Sequence, residues 1–325
     1  MGQKGYFHFL WMGLVLLPFV LVAGCGGGGG GESISTNPSG GGSTSSTTSE
    51  IGVVSGTAVK GPVSGATMIA FSLNADGTKG SQIGSAQTDG QGNFSIPVGN
   101  HSGPVMLQMT GGSYLDEATG LRMNMEFNDA LTCMIPQMSV GSVISGIQVT
   151  PLTSMAQSMA LNMPSGMNPS NMTQANHSVG GYFGVNDILT THPMDPTAPG
   201  SGANAAAGMR NHGMILAAMS QYAVGLGMPQ STGMVTAMMN DASDGRMDGF
   251  MAGQGRMGSG MMGSNRIEMG GGMMAGTMMS PDAGTKGLAD AMDQFINSPM
   301  NRSGLTVQDM QNLMDKLRAS NGQIQ

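Results

Sequence analysis

The sequence predicts a multidomain β-plus-α protein, with an N-terminal antiparallel β-sandwich over residues 51–149 and a mostly α-helical domain over 150–325. Three observations carry this. From Ile51 onward, short β-type runs alternate with turn residues at regular intervals. From Leu152 onward, apolar residues recur every three or four positions, the period of one helical face. The chain beyond residue 24 is about 300 residues long, more than the ~100–200 typical of one domain, which favours two modules.

Residues 1–24 read as an export leader. They hold one cation, Lys4, then an apolar run from Phe9 to Val22 broken by Gly13 and Pro18. About 14 apolar residues are too few to span a bilayer, which needs roughly 20. The leader closes on Leu21-Val22-Ala23-Gly24-Cys25, a stretch that resembles the lipobox of bacterial lipoproteins. That resemblance implies a diacylated Cys25 thiol, cleavage before it and acylation of the new amine, hence a membrane anchored through lipid. By the same resemblance, Gly26 stands where an Asp would retain the protein at the inner membrane, so the outer membrane is favoured. Residues 25–50 follow as a tether of Gly, Ser, Thr, Asn and Pro, including six consecutive glycines, that cannot bury enough apolar surface to fold. Such a chain reaches roughly 25–30 Å.

The net charge of −7 provides no basic field for nucleic acid or anionic head groups. With Cys25 acylated, Cys133 has no intramolecular partner and is either a buried apolar side chain or a free ligand. Its setting in Ala130-Leu131-Thr132-Cys133-Met134-Ile135 favours burial. Two excesses stand out: 55 glycines, and 36 methionines in 325 residues, so that flexible thioethers replace most large rigid side chains.

The β half begins with Val53–Val59, Ala66–Phe71, Asn93–Val98 and Val105–Met109, separated by turn residues at Gly61-Pro62, Asp76-Gly77 and Thr88–Gly92. Here Ser55-Gly56-Thr57-Ala58-Val59, Gly61-Pro62-Val63-Ser64-Gly65-Ala66-Thr67 and Thr88-Asp89-Gly90-Gln91-Gly92-Asn93-Phe94 resemble the carboxypeptidase-regulatory-like, transthyretin-like β-sandwich over residues 51–112. That resemblance implies architecture and a spacer or binding role, without catalysis. Strand-like runs at 121–127, 130–135 and 143–149 extend the sheet or add a hairpin layer.

The helical half opens at Thr150-Pro151, a cap followed by proline at the first helical position. Leu152, Met155, Ala156, Met159, Ala160 and Met163 make its buried face. Further helices are expected near 170–183, 203–226, 231–240 and 288–296. The last starts at Thr306, whose spacing to Asp309 makes a near capping box, with Leu305 able to staple onto Met310. Leader, glycine tether, regulatory-like module and helical tail together resemble uncharacterised lipoproteins of environmental Gram-negative bacteria, which brings no established activity.

The chemistry concentrates in residues 251–280, an aperiodic Met/Gly loop expected to be disordered. Met251, Met257, Met261, Met262, Met269, Met273, Met274, Met278 and Met279 lie among glycines too frequent for a helix or strand. Soft thioethers on a chain free to fold around a soft cation suit Cu(I) or Ag(I). Oxidant buffering through reversible sulfoxide formation, or an inert or interacting insertion, are the competing readings. Met123 with Met125, and Met134 with Met138 near Cys133, could add thioether sites, whereas Met155, Met159 and Met163 at helical spacing read as core. Gly253–Gly258 matches a dinucleotide fingerprint by letter alone, since no strand leads into it and no amphipathic helix follows. Asn240–Gly249 hints at a calcium loop but places Ala242 and Met251 at ligand positions, which argues for an acidic turn. His101, His177, His192 and His212 show no paired spacing, and no G-x-S-x-G or H-E-x-x-H occurs, so no catalytic residues are expected. The reading is a non-enzymatic lipoprotein of the cell envelope, binding soft metal through the loop; the rival is a surface module that contacts a protein or glycan partner.

Overall fold

The computed structural model describes residues 51–125, 129–251, 254–256 and 283–324. It is a mixed β-plus-α structure. The strands are β1 (Gly52–Ala58), β2 (Thr67–Leu73), β3 (Lys79–Gln87), β4 (Asn93–Gly99), β5 (Gly103–Thr110), β6 (Ser113–Leu115), β7 (Arg122–Asn124), β8 (Ala130–Met138) and β9 (Val143–Val149). The helices are α1 (Pro151–Asn162), α2 (Pro169–Phe183), α3 (Ala207–Gly225), α4 (Thr232–Asp241), α5 (Leu288–Ile296) and α6 (Val307–Ala319). A short pair, β10 (Phe250–Met251) with β11 (Gln254–Arg256), follows α4, and a π-helical turn at Ala283–Gly287 leads into α5.

Four strands form one antiparallel sheet in the order β3-β2-β5-β8, three form another in the order β4-β1-β9, and β6 and β7 make a hairpin. The expectation of antiparallel strands throughout needs correction at β9. It pairs with β1 in parallel, Val53 beside Val143 and Ala58 beside Val149. The chain enters β9 from β8 in the other sheet through the turn at 139–142, so no hairpin with β1 dictates an antiparallel approach. β3 escaped the sequence because Lys79–Gln87 is polar on both faces and lies at an edge, with Ile83 only half-buried.

Burial explains the pairing register. β4 alternates strictly, with Phe94, Ile96 and Val98 inward and their neighbours exposed. β8 is instead buried on both faces from Leu131 to Ile135, the continuous apolar pattern of a strand covered on its second face. α1 supplies that cover and is pinned to β8: Thr132 N–H donates to Ser154 Oγ at 2.8 Å, and Thr153 Oγ1 donates to Thr132 O at 2.7 Å. Two glycines permit the closest backbone contacts. A Cβ at Gly56 would lie 1.8 Å from Ile147 O, across the β1–β9 pair, and one at Gly213 would lie 1.9 Å from Met194 O, against α3.

The helices begin where capping chemistry allows. Thr150 accepts from Thr153 N–H while Thr153 returns a bond to the cap backbone, and Thr306 and Asp309 do the same for α6, so the shorter Asp completes the box. Leu305 and Met310 are both buried, as the expected staple requires. Strands and helices share one hydrophobic core, in which Val54, Met68 and Leu107 from the sheets join Met155, Met214, Met292 and Met314 from the helices. More than half of the chain's 36 methionines are buried in it. The thioether is thus the main filler of this core, adapting to gaps that few aromatics occupy. The described residues fall in a single compact unit.

Candidate functional site

The most concentrated polar chemistry among the described residues is buried where the β6–β7 hairpin meets α3 and the start of α4. Lys60 follows β1 and is fully buried. The bend that turns it inward depends on Gly61, at φ 59°, because a Cβ there would sit 2.3 Å from Leu115 O. Its ammonium donates to Glu117 Oε2 at 2.6 Å and to Ser220 Oγ on α3, and lies 5.4 Å from the centre of the Tyr114 ring. Ser220 in turn donates to Glu117 Oε2 at 2.6 Å. The triangle places one cation, one carboxylate and one hydroxyl beyond water.

Asp116, beside Glu117, builds the turn that joins β6 to β7. Its Oδ1 accepts from Ala118 N–H, Thr119 N–H and Thr119 Oγ1, and its Oδ2 accepts from Ser231 Oγ at 2.6 Å. Ser231 precedes α4, so one aspartate fixes both a turn and a helix start. With its hydroxyl hydrogen directed at Asp116, Ser231 is left to accept from Tyr114 Oη, 3.0 Å away. Tyr114 Oη also lies 3.7 Å from Met123 Sδ.

Charge states follow from these neighbours. Burial pushes the Lys60 amine down, but Glu117 beside it, with Tyr114 and Asp116 behind, outweighs that and holds it above its ordinary value. Burial pushes the Asp116 carboxyl up, yet Lys60 and the hydroxyls of Ser231 and Thr119 bring it below the ordinary range. The lysine is therefore an ammonium at neutral pH. It cannot take a proton from Ser220, so the pair does not work as a lysine-activated nucleophile, which needs a neutral amine. What the arrangement does is join the β6–β7 hairpin, the end of β1 and two helices through charge-assisted hydrogen bonds.

A second buried group sits on α3. His212 Nδ1 lies 2.9 Å from Thr191 O and Nε2 lies 3.2 Å from Thr150 Oγ1. Burial lowers its pKa to about 4, so the ring is neutral at pH 7. A carbonyl needs a donor, which puts the proton on Nδ1 and leaves Nε2 accepting from the Thr150 hydroxyl. The lone histidine is structural, as its lack of paired spacing implied.

The segment after α4 is the acidic turn expected for 240–249. Asp241 Oδ1 accepts from Asp248 N–H at 3.0 Å and Gly249 N–H at 2.8 Å, with Gly245 at φ 82° reversing the chain between them. Asp241 Oδ2 is buried without a hydrogen-bond partner. Burial first, and then Asp248 and Asp244, raise its pKa to about 7. Among the described residues no group of three His, Cys, Asp or Glu side chains could hold a metal ion.

The methionines separate into two sets. Met134 and Met138 are buried in β8 with Cys133, whose thiol burial pushes far up. Met125 is buried, and Met123 packs against the core beside Tyr114. These side chains serve packing, which removes them as extra thioether sites. Met251 lies in β10, its backbone paired with Gln254. Met257, Met261, Met262, Met269, Met273, Met274, Met278 and Met279 lie outside the described residues, as does Cys25. Gly255 of the letter-only dinucleotide match lies within β11, paired against β10.

Sequence reading missed the Lys60 network. Its members are 57 and 160 residues apart, and no local spacing announces them. The signal available was Lys60 itself, a cation immediately after the buried pair Ala58-Val59 in a chain with only 12 Lys and Arg.

No family model matches this chain, and no curated protein matches it. Among solved structures, it is similar over 59% of its length to a 9R-lipoxygenase from Cyanothece PCC8801, at 10% identity and a TM-score of 0.20, and spans 25% of that chain. A likeness at that score carries no argument about fold or activity.

Proposed function

We propose that this chain is a lipid-anchored extracytoplasmic protein that works by binding, with the thioethers of residues 251–279 as ligands for Cu(I) or Ag(I). The observation that carries the reading is how the described reactive groups are used. Lys60, Glu117, Ser220 and His212 are spent on one another or on their neighbours in buried contacts, and Cys133, Met134 and Met138 are sealed in the core. Soft-metal chemistry then rests on the Met/Gly run. In the same proposal the two larger sheets form a β-sandwich of the regulatory-like kind. Support comes from Val54, Ile96 and Ile147 of one sheet sharing a buried cluster with Met68, Ala70 and Leu107 of the other. Among the described residues no helix is long and apolar enough to cross a membrane. In this proposal acylated Cys25 supplies the attachment, with the outer membrane favoured.

Titrating the full chain with Cu(I), against a form lacking residues 251–279, tests the metal reading. A lower stoichiometry in the shortened chain is expected; equal stoichiometry would sink it. The rival reading, a surface that contacts a protein or glycan, is favoured by Leu115 and Leu121, both exposed at the ends of the turn that Asp116 makes rigid. It predicts that changing both leucines to serine abolishes partner capture while leaving copper stoichiometry untouched.

A further inference from the structure

Three exposed aliphatic side chains converge at one end of the three-stranded sheet. Ile51, Val140 and Val143 are 60%, 56% and 69% exposed. The parallel register brings them together: Val53 pairs with Val143, and Val53 N–H donates to Ser142 O at 3.0 Å, which puts Ile51 beside the turn at 139–142. Ser142 N–H donates to Ser139 O across that turn, and Gly141 takes φ 71° there, so Val140 stands at its corner with its side chain in solvent. The end of β4 closes the same tip, since Gly52 pairs with Gly99 and a Cβ on Gly52 would meet Met138 and Gly99.

The tip is unusual in charge as well as in apolarity. The stretches that build it, 51–53, 97–104 and 136–146, contain no Asp, Glu, Lys or Arg, in a chain whose net charge is −7. Their one titratable side chain is His101, whose Nε2 is engaged 3.1 Å from Pro104 O. Glu50, next in sequence before Ile51, lies outside the described residues. The tip is also where the chain arrives from Cys25, so of all the described surface it is joined to the anchor by the shortest stretch of chain. About 25 residues separate Cys25 from Ile51, and by composition alone a Gly/Ser-rich stretch of that length would span roughly 25–30 Å, so the anchor by itself sets no orientation. Exposed aliphatic side chains on stretches that, among the described residues, carry no carboxylate suit the boundary between head groups and acyl chains, where acidic residues would be repelled by anionic lipid.

We propose that this tip is a membrane-contact surface, with Ile51, Val140 and Val143 entering the interfacial layer of the bilayer that holds the Cys25 acyl chains. The inference rests on the lipid-anchor reading of Cys25. The anchor supplies attachment and the tip sets orientation, holding β1 and β9 end-on to the membrane.

The test uses the full acylated chain, purified from membranes and reconstituted into phosphatidylethanolamine–phosphatidylglycerol vesicles. Val143→Cys is labelled with a solvent-sensitive fluorophore, and Val224→Cys, an exposed apolar position on α3, serves as the comparison. Buried Cys133 does not compete for label. The expected result is loss of fluorescence from position 143, and not from position 224, when the vesicles carry lipids brominated near the head of the acyl chain. Unchanged fluorescence at 143 in vesicles that carry the protein overturns the tip proposal and leaves the anchor standing. Equal loss at 143 and 224 overturns it too, since the contact is then not specific to the tip. Protection of position 143 without vesicles would mean that a second copy of the chain covers the tip, which also overturns it. Failure of the protein to float with vesicles defeats the anchor reading itself and removes the basis of the inference. The triple change Ile51→Ser, Val140→Ser and Val143→Ser, made at exposed sites, should keep flotation and abolish the quenching of a label at His101→Cys, beside the tip.

Discussion

Replacing Lys60 by methionine keeps a long side chain and removes the charge that Glu117 and Ser220 were built to meet. Lys60 is 0% exposed and Glu117 4%, so no water can substitute for the missing ammonium. Removing one partner of such a pair costs ~3–5 kcal/mol, because the other is left buried and uncompensated. Glu117 keeps the hydrogen bond from Ser220, which argues for the lower end, about 3 kcal/mol. The assay is urea unfolding of the full chain followed by far-UV circular dichroism. With a slope of ~3 kcal/mol/M, the midpoint should fall by about 1 M. Glu117→Gln alone should cost a similar amount by stranding the ammonium. The double variant should be less destabilised than the sum by ~1–3 kcal/mol, since the two sites are in contact. The pH dependence is also fixed. The folded pKa of Lys60 lies above its unfolded value, so the contribution is fully present below that unfolded value and is lost only as pH rises through the folded one. The penalty should therefore be the same at about pH 6 and about pH 8. A single variant with an unshifted midpoint, or a double variant that is simply additive, would refute the account of a coupled buried pair.

Two further outcomes follow from other buried groups. Asp241 has a folded pKa of about 7 against an ordinary 3.8, so the native state holds a proton that the unfolded chain has given up. Its contribution works against stability progressively as pH rises between those values and is constant above. Asp241→Asn, which mimics the protonated form, should flatten the loss of urea midpoint between about pH 5 and about pH 8; an unchanged slope would assign that loss to other groups. Thr150→Ala should cost ~2–3 kcal/mol, since it removes a helix cap and leaves buried His212 Nε2 without a donor, whereas Thr306→Ala at an exposed cap should cost only ~1 kcal/mol. Equal costs in denaturation would mean that the Thr150–His212 contact adds nothing.

How far the sequence reaches depends on the range over which each feature is encoded. Helices were legible because periodicity and capping act within a few residues: Thr150-Pro151 and Thr306–Asp309 state their ends within one turn. Cys133 was legible as core from its apolar neighbours alone. Strand direction was not, because the alternation in Val143–Val149 is the same whether its neighbour runs parallel or antiparallel. β3 has no apolar face to announce it. The suggestion that Met134 and Met138 could ligate failed because both are sealed in the core, Met134 beneath the helical cover of β8, a fact that depends on residues 20 or more positions away. The Lys60 network lies at the far end of this scale: Ser220 on α3 and Ser231 just before α4 are ordinary serines until the chain fold places carboxylates against them.

The place of β1 has a mechanical side. It is the middle strand of its sheet, bonded on one edge to β4 running against it and on the other to β9 running with it. Tension arriving at residue 51 along the strand would be carried as shear by both ladders, whose hydrogen bonds share the load and must give way together. A strand at the edge of a hairpin, pulled from its open end, would unzip one bond at a time. The fold thus meets any pull from its N-terminal side with the most firmly clamped strand of that sheet.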